Sequence, residues 1–254
     1  MNEFMAVTET YDLLKGYKDK DGIVHTEFEI REMTGADEEA ISKPDIKNNG
    51  GKLMRTIIER CCVRIGTYHQ NEVKSNKWRE MIQELSVGDQ DLILLKIREM
   101  SLGEEIESRY KCPNPSCKED IITTIEIEEL EMIPFDGLHE IEFELPRGFK
   151  DREGRILRKG KLRHPNGLDR EVLDGVLRKN VGQASTLMLT RCIVELEGTK
   201  VYDELIRSLS IKDRNYLMKL IEKHSFGVDL NIDVECPTCY HSFKASLNAT
   251  NFLS

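Results

Sequence analysis

Residues 85–113 read LSVGDQDLILLKIREMSLGEEIESRYKCP, and residues 209–237 read LSIKDRNYLMKLIEKHSFGVDLNIDVECP. The two stretches align without a gap at a constant spacing of 124 residues, as between Ser86 and Ser210. Self-similarity at a fixed spacing indicates a repeated structural unit. The eight identical pairs are Leu85/Leu209, Ser86/Ser210, Asp89/Asp213, Ile97/Ile221, Ser101/Ser225, Gly103/Gly227, Cys112/Cys236 and Pro113/Pro237.

The similarity continues upstream with small shifts in spacing. Arg60 and Cys61 fall opposite Arg191 and Cys192, and the segment TGAD at 34–37 resembles NGLD at 166–169. Chance similarity between two amphipathic helices would not also place two Cys-Pro pairs in register. The sequence therefore predicts an internal duplication.

Each copy has the same predicted order of elements. Ser86 begins a helix with Asp89 in the capping-box partner position, and Gly103 ends it. Beyond the glycine the apolar residues alternate, which predicts a strand, a cysteine turn and a return strand. The expected fold class is therefore α+β, with an internally duplicated module of helices plus a cysteine-tipped β-hairpin.

The duplication suggests a division into four segments. We expect an N-terminal arm at residues 1–24 and a first repeat at 25–131. A connecting strand and basic linker would occupy 132–160, and the second repeat would span 161–254. The strand in the linker is indicated by Ile141, Phe143 and Leu145.

Four of the seven cysteines lie at the predicted hairpin tips. Cys112 and Cys117 belong to CPNPSC, while Cys236 and Cys239 belong to CPTC. Tetrahedral Zn2+ needs four ligands, and neither copy has four by itself. We therefore expect the two hairpins to meet and share one structural four-cysteine zinc site that joins the copies.

Other interpretations of these cysteines remain open. Iron in a rubredoxin-like site has the same four-sulfur geometry. A disulfide is disfavoured in a reducing compartment, and His241 could replace one thiolate. The remaining cysteines, Cys61, Cys62 and Cys192, lie in helical apolar stripes and are interpreted as small buried hydrophobes.

The charge distribution is asymmetric. The chain has a formal net charge of −9, which disfavours general nucleic-acid binding. One segment instead carries clustered positive charge and is a candidate partner-binding surface, the alternative being a solvated hairpin rich in charge. Its basic residues are Arg147, Lys150, Arg152, Arg155, Arg158, Lys159, Lys161 and Arg163.

Several classes of protein are disfavoured. There is no apolar run of about 18 residues, so we expect no membrane-spanning helix. Residues 1–10 lack the features of a signal peptide, so the chain should stay in the cytoplasm of the cell that makes it. Phosphate-binding loops and the common hydrolase motifs are missing, so we expect neither catalysis nor a small-molecule substrate.

Several segments of the sequence resemble those of a known protein family. The segment IREMSLGE at 97–104, followed by Cys112 and Cys117, resembles the baseplate hub and hub-assembly proteins of T-even-type contractile phage tails. The segment MTGADEE at 33–39 and the CPTC motif followed by Phe243 are also similar to tail proteins of such phages. The resemblance covers roughly residues 25–250.

The resemblance implies a virion or tail-assembly protein of a contractile injection machine. Such a protein would bind other tail and baseplate proteins and catalyse no reaction. It would be made in the host bacterial cytoplasm, and its final place would be the tail baseplate or an assembly intermediate. The helix–strand junctions near Gly103 and Gly227 and the basic segment would be its candidate contact surfaces.

Two rival functions have to be weighed against this one. A zinc-ribbon adaptor or regulatory protein of the host type would need a basic face near the cysteines. The cysteine hairpins are flanked instead by acidic residues, which are Glu104, Glu105, Glu107, Glu126, Glu128, Asp229, Asp233 and Glu235. A zinc enzyme would need an open coordination position, which a four-sulfur shell does not offer.

Overall fold

The computed structural model describes residues 7–151 and 153–247 and has a mixed α/β architecture, which confirms the broad fold class. The first half contains, in chain order, β1 (Thr8–Lys18), β2 (Val24–Arg31), α1 (Gly35–Ile41), α2 (Pro44–Lys47), α3 (Gly50–Cys61), β3 (Cys62–Ile65), β4 (Tyr68–His69), α4 (Ser75–Glu84), α5 (Val87–Leu102), β5 (Glu105–Lys111), β6 (Asp120–Glu126), a 3-10 helix (Ile127–Glu129) and β7 (Met132–Ile133). The second half contains β8 (Glu140–Lys150), β9 (Ile156–Arg163), α6 (Gly167–Leu177), α7 (Val181–Cys192), β10 (Ile193–Leu196), α8 (Asp203–Ser208), α9 (Ile211–Lys223), β11 (Gly227–Val228), β12 (Asn231–Glu235) and β13 (Ser242–Ser246).

The strands form small antiparallel sheets. The first half has a four-stranded sheet in the order β1-β2-β3-β4, and the second half has a three-stranded sheet in the order β10-β9-β8. The cysteine hairpins β5-β6 and β12-β13 are separate two-stranded ribbons, and β7 pairs with β11. Each larger sheet thus begins with a long hairpin, to which a strand following a helix is added.

Residues 8–18 lie in the segment predicted as an N-terminal arm, but they form strand β1. The pairing with β2 runs from Thr8 opposite Arg31 to Lys18 opposite Val24, and Leu13 and Tyr17 are buried in the core. The register shifts between Asp12 and Tyr17. This bulge interrupts the alternation of apolar and polar residues, which is why the sequence pattern did not indicate a strand here.

Three groups of buried side chains hold the described part of the chain together. The first core is built around Trp78, Phe28 and the apolar helix α5, whereas the second gathers Leu145, Leu162, Leu189 and Leu217 around the β8-β9 hairpin. The third surrounds the hairpin cysteines. Because Val228 and Leu247 belong to the first core, the C-terminal hairpin leaves its own half of the chain and packs on the other.

Two fully buried aspartates connect helices to the preceding strands. Asp37, at the start of α1, accepts hydrogen bonds from Arg31 at the end of β2 (2.7 Å) and from Arg60 at the end of α3 (2.6 Å). Burial acts to raise the pKa of Asp37, but the hydrogen bonds from Arg31, Thr34 and Arg60 outweigh it and hold this pKa well below its usual range. The carboxylate therefore stays charged inside the protein.

The same arrangement occurs in the second half at Asp169. Its carboxylate accepts from Arg163 at the end of β9 (2.7 Å) and from Arg191 at the end of α7 (2.5 Å). Its pKa is also lowered, since the hydrogen bonds and charge of Arg163 and Arg191 outweigh the effect of burial. Each aspartate thus joins a hairpin, a helix start and a helix end.

A second pair of buried aspartates anchors the long hairpins. Asp89 accepts hydrogen bonds from the backbone N–H groups of Leu14 (2.7 Å) and Lys15 (3.0 Å), while the Ser86 hydroxyl donates to its other oxygen. In the second half, Asp213 accepts from the backbone N–H of Arg147 at 2.7 Å. The residues expected to cap helices therefore also fix the position of a distant strand.

We predict that Asp169→Asn lowers the free energy of unfolding by about 3 kcal/mol, because two arginines lose their common charged partner. The measurement is urea unfolding at pH 7, with the exposed Glu39→Gln as control. The Asp169 pKa is lowered in the folded state, so its contribution is present at neutral pH and is lost as the pH falls below about 4. The difference between wild type and variant should shrink over that range, and a difference that persists unchanged at lower pH would contradict the electrostatic explanation.

Candidate metal centre

The two cysteine turns are formed by local hydrogen bonds and a left-handed residue. In the first turn, the Cys112 N–H donates to Glu119 O (2.8 Å) and the Cys117 N–H donates to Asn114 O (3.0 Å). In the second, the Cys236 N–H donates to His241 O at 3.0 Å. The residue directly after the second cysteine of each turn has a positive φ, 57° at Lys118 and 56° at Tyr240. Both tips therefore bend back sharply and bring their two cysteines to the same side.

The two tips meet, and the four sulfur atoms lie within 4.8 Å of one another. The Sγ–Sγ distance is 3.7 Å between Cys112 and Cys239 and 3.8 Å between Cys117 and Cys236. A disulfide would need about 2.05 Å. Four sulfurs at about 2.3 Å from a central ion form a tetrahedron with edges of about 3.8 Å. The spacing is therefore compatible with a metal site.

The cluster is partly shielded from water. Cys112 and Cys236 are buried, whereas Cys117 and Cys239 are half-buried. Around the sulfurs lie apolar or aromatic side chains, which are Tyr110, Ile121, Ile232, Val234, Phe243 and Ala245. Such a shell limits solvent access to a bound ion.

Hydrogen-bond donors support negative charge on Cys239. The hydrogen bond from the backbone N–H of His241 has the largest effect on the pKa of the Cys239 thiol and lowers it. Burial acts to raise this pKa, but hydrogen bonds from the neighbouring thiols lower it further, to about 7. The side-chain amide of Asn114 also points to this sulfur, with a distance of 3.6 Å from Nδ2 to Sγ. Metal ions bind thiolates, so these donors favour the form that a metal requires.

His241, the alternative ligand, lies outside the group. Within residues 7–151 and 153–247, the four cysteines are the one set of three or more His, Cys, Asp or Glu close enough to share an ion. The His241 ring instead stacks on Phe243, with ring centroids 6.4 Å apart. Its backbone contributes to the turn through the carbonyl that accepts from Cys236.

The other three cysteines are buried, as the sequence predicted, but Cys62 begins strand β3, whereas Cys61 and Cys192 end helices α3 and α7. Cys61, Cys62 and Cys192 are fully buried. Burial raises the pKa of each of these thiols to about 12. They are protonated at neutral pH and behave as small apolar side chains.

The predicted basic segment forms the hairpin β8-β9, and much of its charge is balanced there. Glu140, Glu142 and Glu144 on β8 lie opposite Arg163, Lys161 and Lys159 on β9 in the register of the hairpin. Opposite charges in directly facing positions stabilise a strand pair. The sequence did not reveal this because the paired residues are 15–23 positions apart.

The remaining basic residues of the segment are divided between two environments. Arg163, although it faces Glu140 in the register, directs its guanidinium inward to Asp169; of the other basic residues, Arg155 pairs with Asp151 at 2.7 Å. Arg158 is half-buried, and its guanidinium lies 3.5 Å from the carbonyl of Pro146. Arg147 and Lys150 are exposed, whereas Arg152 lies outside the described residues. Free positive charge is thus concentrated near the tip of the hairpin.

No helix in the described part of the chain is long and apolar enough to cross a membrane.

Comparison with known proteins gave one positive result. A family model described as T4 bacteriophage base plate protein matches residues 7–203. Neither the curated proteins nor the solved structures gave a match. The matched range ends before β12 and β13, so it includes the first cysteine pair but not the second.

We predict that a small thiol reagent added to the native, chelator-treated protein modifies Cys117 and Cys239 but not Cys61, Cys62 or Cys192. The first two sulfurs are half-exposed, whereas the other three are buried and protonated. Peptide mass mapping before and after denaturation in guanidinium would measure this. Rapid modification of Cys192 under native conditions would contradict the described packing of α7.

Proposed function

The chain belongs to the family of T4 bacteriophage base plate proteins, and from this premise we propose that it is a structural or assembly component of the hub region of a contractile tail baseplate. It acts through protein–protein contacts with other phage tail proteins and catalyses no reaction of its own. It assembles in the host bacterial cytoplasm and takes its place in the tail baseplate. The observation that carries the mechanism is the meeting of two distant cysteine hairpins at one four-sulfur cluster.

The ion assigned to this cluster is one structural Zn2+ per chain, held by Cys112, Cys117, Cys236 and Cys239. A complete shell of four thiolates is typical of structural zinc and leaves no position for a reacting water. Iron in the same four-sulfur geometry is the alternative. A bound ion would link Cys112 to Cys239, which are far apart in the sequence. Neighbouring thiolates repel each other, and a bound cation would attract all four of them.

We further infer that the chain arose by internal duplication. The alignment at a spacing of 124 residues covers only α5 and α9 with their hairpins. A second alignment, at a spacing of 132 residues, relates the hairpin β1-β2 to β8-β9, as between Asp37 and Asp169. It pairs eight identical residues, which are Leu13/Leu145, Gly16/Gly148, Lys18/Lys150, Asp19/Asp151, Gly22/Gly154, Arg31/Arg163, Gly35/Gly167 and Asp37/Asp169.

The backbone supports this second alignment. The register shift in β1 lies between Asp12 and Tyr17, and that in β8 lies between Glu144 and Phe149, at the same 132-residue spacing. Each bulge contains a left-handed glycine, Gly16 (φ 86°) or Gly148 (φ 82°). In both, a Cβ would lie less than 3.0 Å from a backbone oxygen of the facing strand, so only glycine fits.

These correspondences favour different boundaries from the four-segment division. The first copy would begin with β1 at residue 8, and the second would begin with β8 at residue 140. The arm and the linker then become the first hairpins of their copies. The pairing of buried aspartates, Asp37 with Asp169 and Asp89 with Asp213, agrees with these boundaries.

The exposure of each candidate contact surface indicates whether a partner could reach it. The end of α5 at Gly103 is open, since a Cβ there would meet nothing within 4 Å. A Cβ at Gly227 would lie 2.6 Å from Gly88 Cα, so this junction is packed inside the chain and offers no surface to a partner. The tip of the β8-β9 hairpin, with Arg147 and Lys150 exposed, remains the proposed surface for an acidic partner.

We predict that mass spectrometry of gradient-banded tails or particles finds this chain in a fixed ratio to the tail tube protein. A fixed ratio is expected of a baseplate component because each particle contains a defined number of copies. Absence from particles combined with binding to hub proteins in infected-cell extracts would identify an assembly factor. Absence from both would contradict the proposed function.

We predict that the purified protein contains one zinc ion per chain and that Cys236→Ser loses it. The variant should also unfold at a lower temperature, because the free energy of metal binding contributes to folding. Elemental analysis of the purified protein would distinguish zinc from iron. Cys192→Ser is the matched control, since Cys192 lies in the second core, away from the cluster. Full zinc occupancy in Cys236→Ser would contradict the four-cysteine site.

A further inference from the structure

The two halves of the chain contact each other through the start of α6. Around this point, the backbone N–H of Val87 donates to Pro165 O and the N–H of Gly167 donates to Leu85 O, both at 3.0 Å. On the side of α3, the N–H of Gly50 donates to the Asp174 carboxylate, also at 3.0 Å. The beginning of α6 therefore occupies a groove of the first half that is lined by α3, α4 and α5.

Close approach in this groove depends on two glycines. A Cβ at Gly167 would lie 1.9 Å from Gln90 Nε2, and a Cβ at Gly51 would lie 2.6 Å from Glu171 Cα. Real Cβ atoms do not approach other atoms so closely. Each half thus supplies one glycine that lets the two backbones pack together.

The corresponding glycines on the outer faces are free of such contacts. Gly35 corresponds to Gly167 at the 132-residue spacing, and a Cβ there would meet nothing within 4 Å. Gly182 follows the Asn180 cap of α7 as Gly51 follows the Asn49 cap of α3. A Cβ at Gly182 would meet only its own cap side chain, at 3.4 Å. Among residues 7–151 and 153–247, therefore, no segment covers α1 of the first half or the groove of the second half in this way.

The uncovered groove carries apolar side chains at the positions used for docking in the first half. Ile211 corresponds to Val87 and is 70% exposed, and Val181 corresponds to Gly50 and is 68% exposed. On the α1 side, half-buried Met33 corresponds to Pro165 and would face Ile211. Exposed apolar side chains at a groove that is filled elsewhere in the same chain indicate an interaction surface.

Charge selects the partner for this groove. In the existing contact, Arg170 of α6 pairs with Asp91 at 2.6 Å, beside the buried Gln90. On the open faces, the residue corresponding to Arg170 is Glu38, and those corresponding to Gln90 and Asp91 are Arg214 and Asn215. Glu38 thus reverses the charge of Arg170, and on the groove side the negative charge of Asp91 is lost and a positive charge appears at Arg214, so α1 of one chain is complementary to the groove of another.

We propose that α1 of a second copy of this chain docks into the groove between α7 and α9, and so repeats between chains the contact made within each chain. The proposal rests on the internal duplication. Each chain would present one donor face and one acceptor groove, which is a head-to-tail contact. Such contacts close into a ring when the rotation permits and otherwise form an open filament.

The first test is sedimentation velocity of the full-length, zinc-loaded protein over a range of concentrations. The wild type should self-associate, and Gly35→Leu should raise the dissociation constant about tenfold or more by filling the space where α1 docks. The fold of the monomer should be unaffected because no described residue would lie within 4 Å of a Cβ at Gly35. Gly175→Leu is the control, since it also adds a side chain in open space, on α6 away from the proposed contact.

The second test exchanges the charged residues of the proposed contact. Glu38→Arg should weaken association by placing a positive charge against Arg214. Adding Arg214→Gln and Asn215→Asp would recreate the pair that Arg170 and Asp91 form within the chain, and it should restore association. Gln90 donates to Ile82 O as Arg214 donates to Ile206 O, so Arg214→Gln can keep this hydrogen bond, although it loses those to Gly182 O and Thr186 Oγ1. Thermal unfolding of the Arg214→Gln variant would show whether their loss affects the fold.

The outcomes separate this proposal from the proposed function. A wild type that stays monomeric up to about 1 mM would overturn the head-to-tail contact. So would association that Gly35→Leu leaves unchanged. In either case the presence of the chain in tails and its zinc content would still be decided by their own measurements. If the chain is absent from tails and does not bind hub proteins in infected-cell extracts but self-associates as described, the docking proposal stands and the baseplate function fails.

Discussion

Four buried carboxylates hold the helices of this protein to its hairpins, and the rest of the structure depends on them. Asp37, Asp89, Asp169 and Asp213 are each fully buried at the first turn of a helix. A buried carboxylate needs hydrogen-bond partners. Asp37 and Asp169 find them in arginines of the preceding strand and of a later helix, whereas Asp89 and Asp213 find them in backbone N–H groups of a distant strand, so burial and positioning are achieved by the same contacts.

These contacts explain how a chain with few aromatic residues keeps a defined arrangement. Asp89 fixes the bulged part of β1 over α5, and Asp213 fixes the corresponding part of β8 over α9. Because the hairpins are held in this way, the cores of the two halves can remain separate. The cysteine hairpins then leave these cores and meet on one side, where Val228 and Leu247 join the first core. The four-sulfur cluster therefore adds a second contact between two halves that apolar packing already holds together.

The proposed function uses the surfaces that remain after this packing. The hairpin β8-β9 balances most of its own charge and leaves positive side chains near its tip. The groove beside α9 keeps exposed apolar side chains although the equivalent groove beside α5 is filled by α6. A protein that works by contact with neighbours needs such uncovered and complementary faces, and a metal ion held by the four sulfurs, as proposed, would add rigidity without reactivity.

Local features could be read from the sequence alone. The helix starts at Ser86 and Ser210, the helix end at Gly103, the cysteine turns and the burial of Cys61 and Cys192 could all be predicted, because each depends on residues within a few positions along the chain. The expected helix end at Gly227 was wrong, since α9 ends at Lys223 and Gly227 pairs in β11. Contacts between distant segments, which only the folded chain reveals, make the capping aspartates buried anchors, set Lys159 and Lys161 opposite glutamates, and make residues 8–18 a strand across a bulge. These features depend on which distant segments pack together, and a single sequence records such pairings only through weak or interrupted patterns.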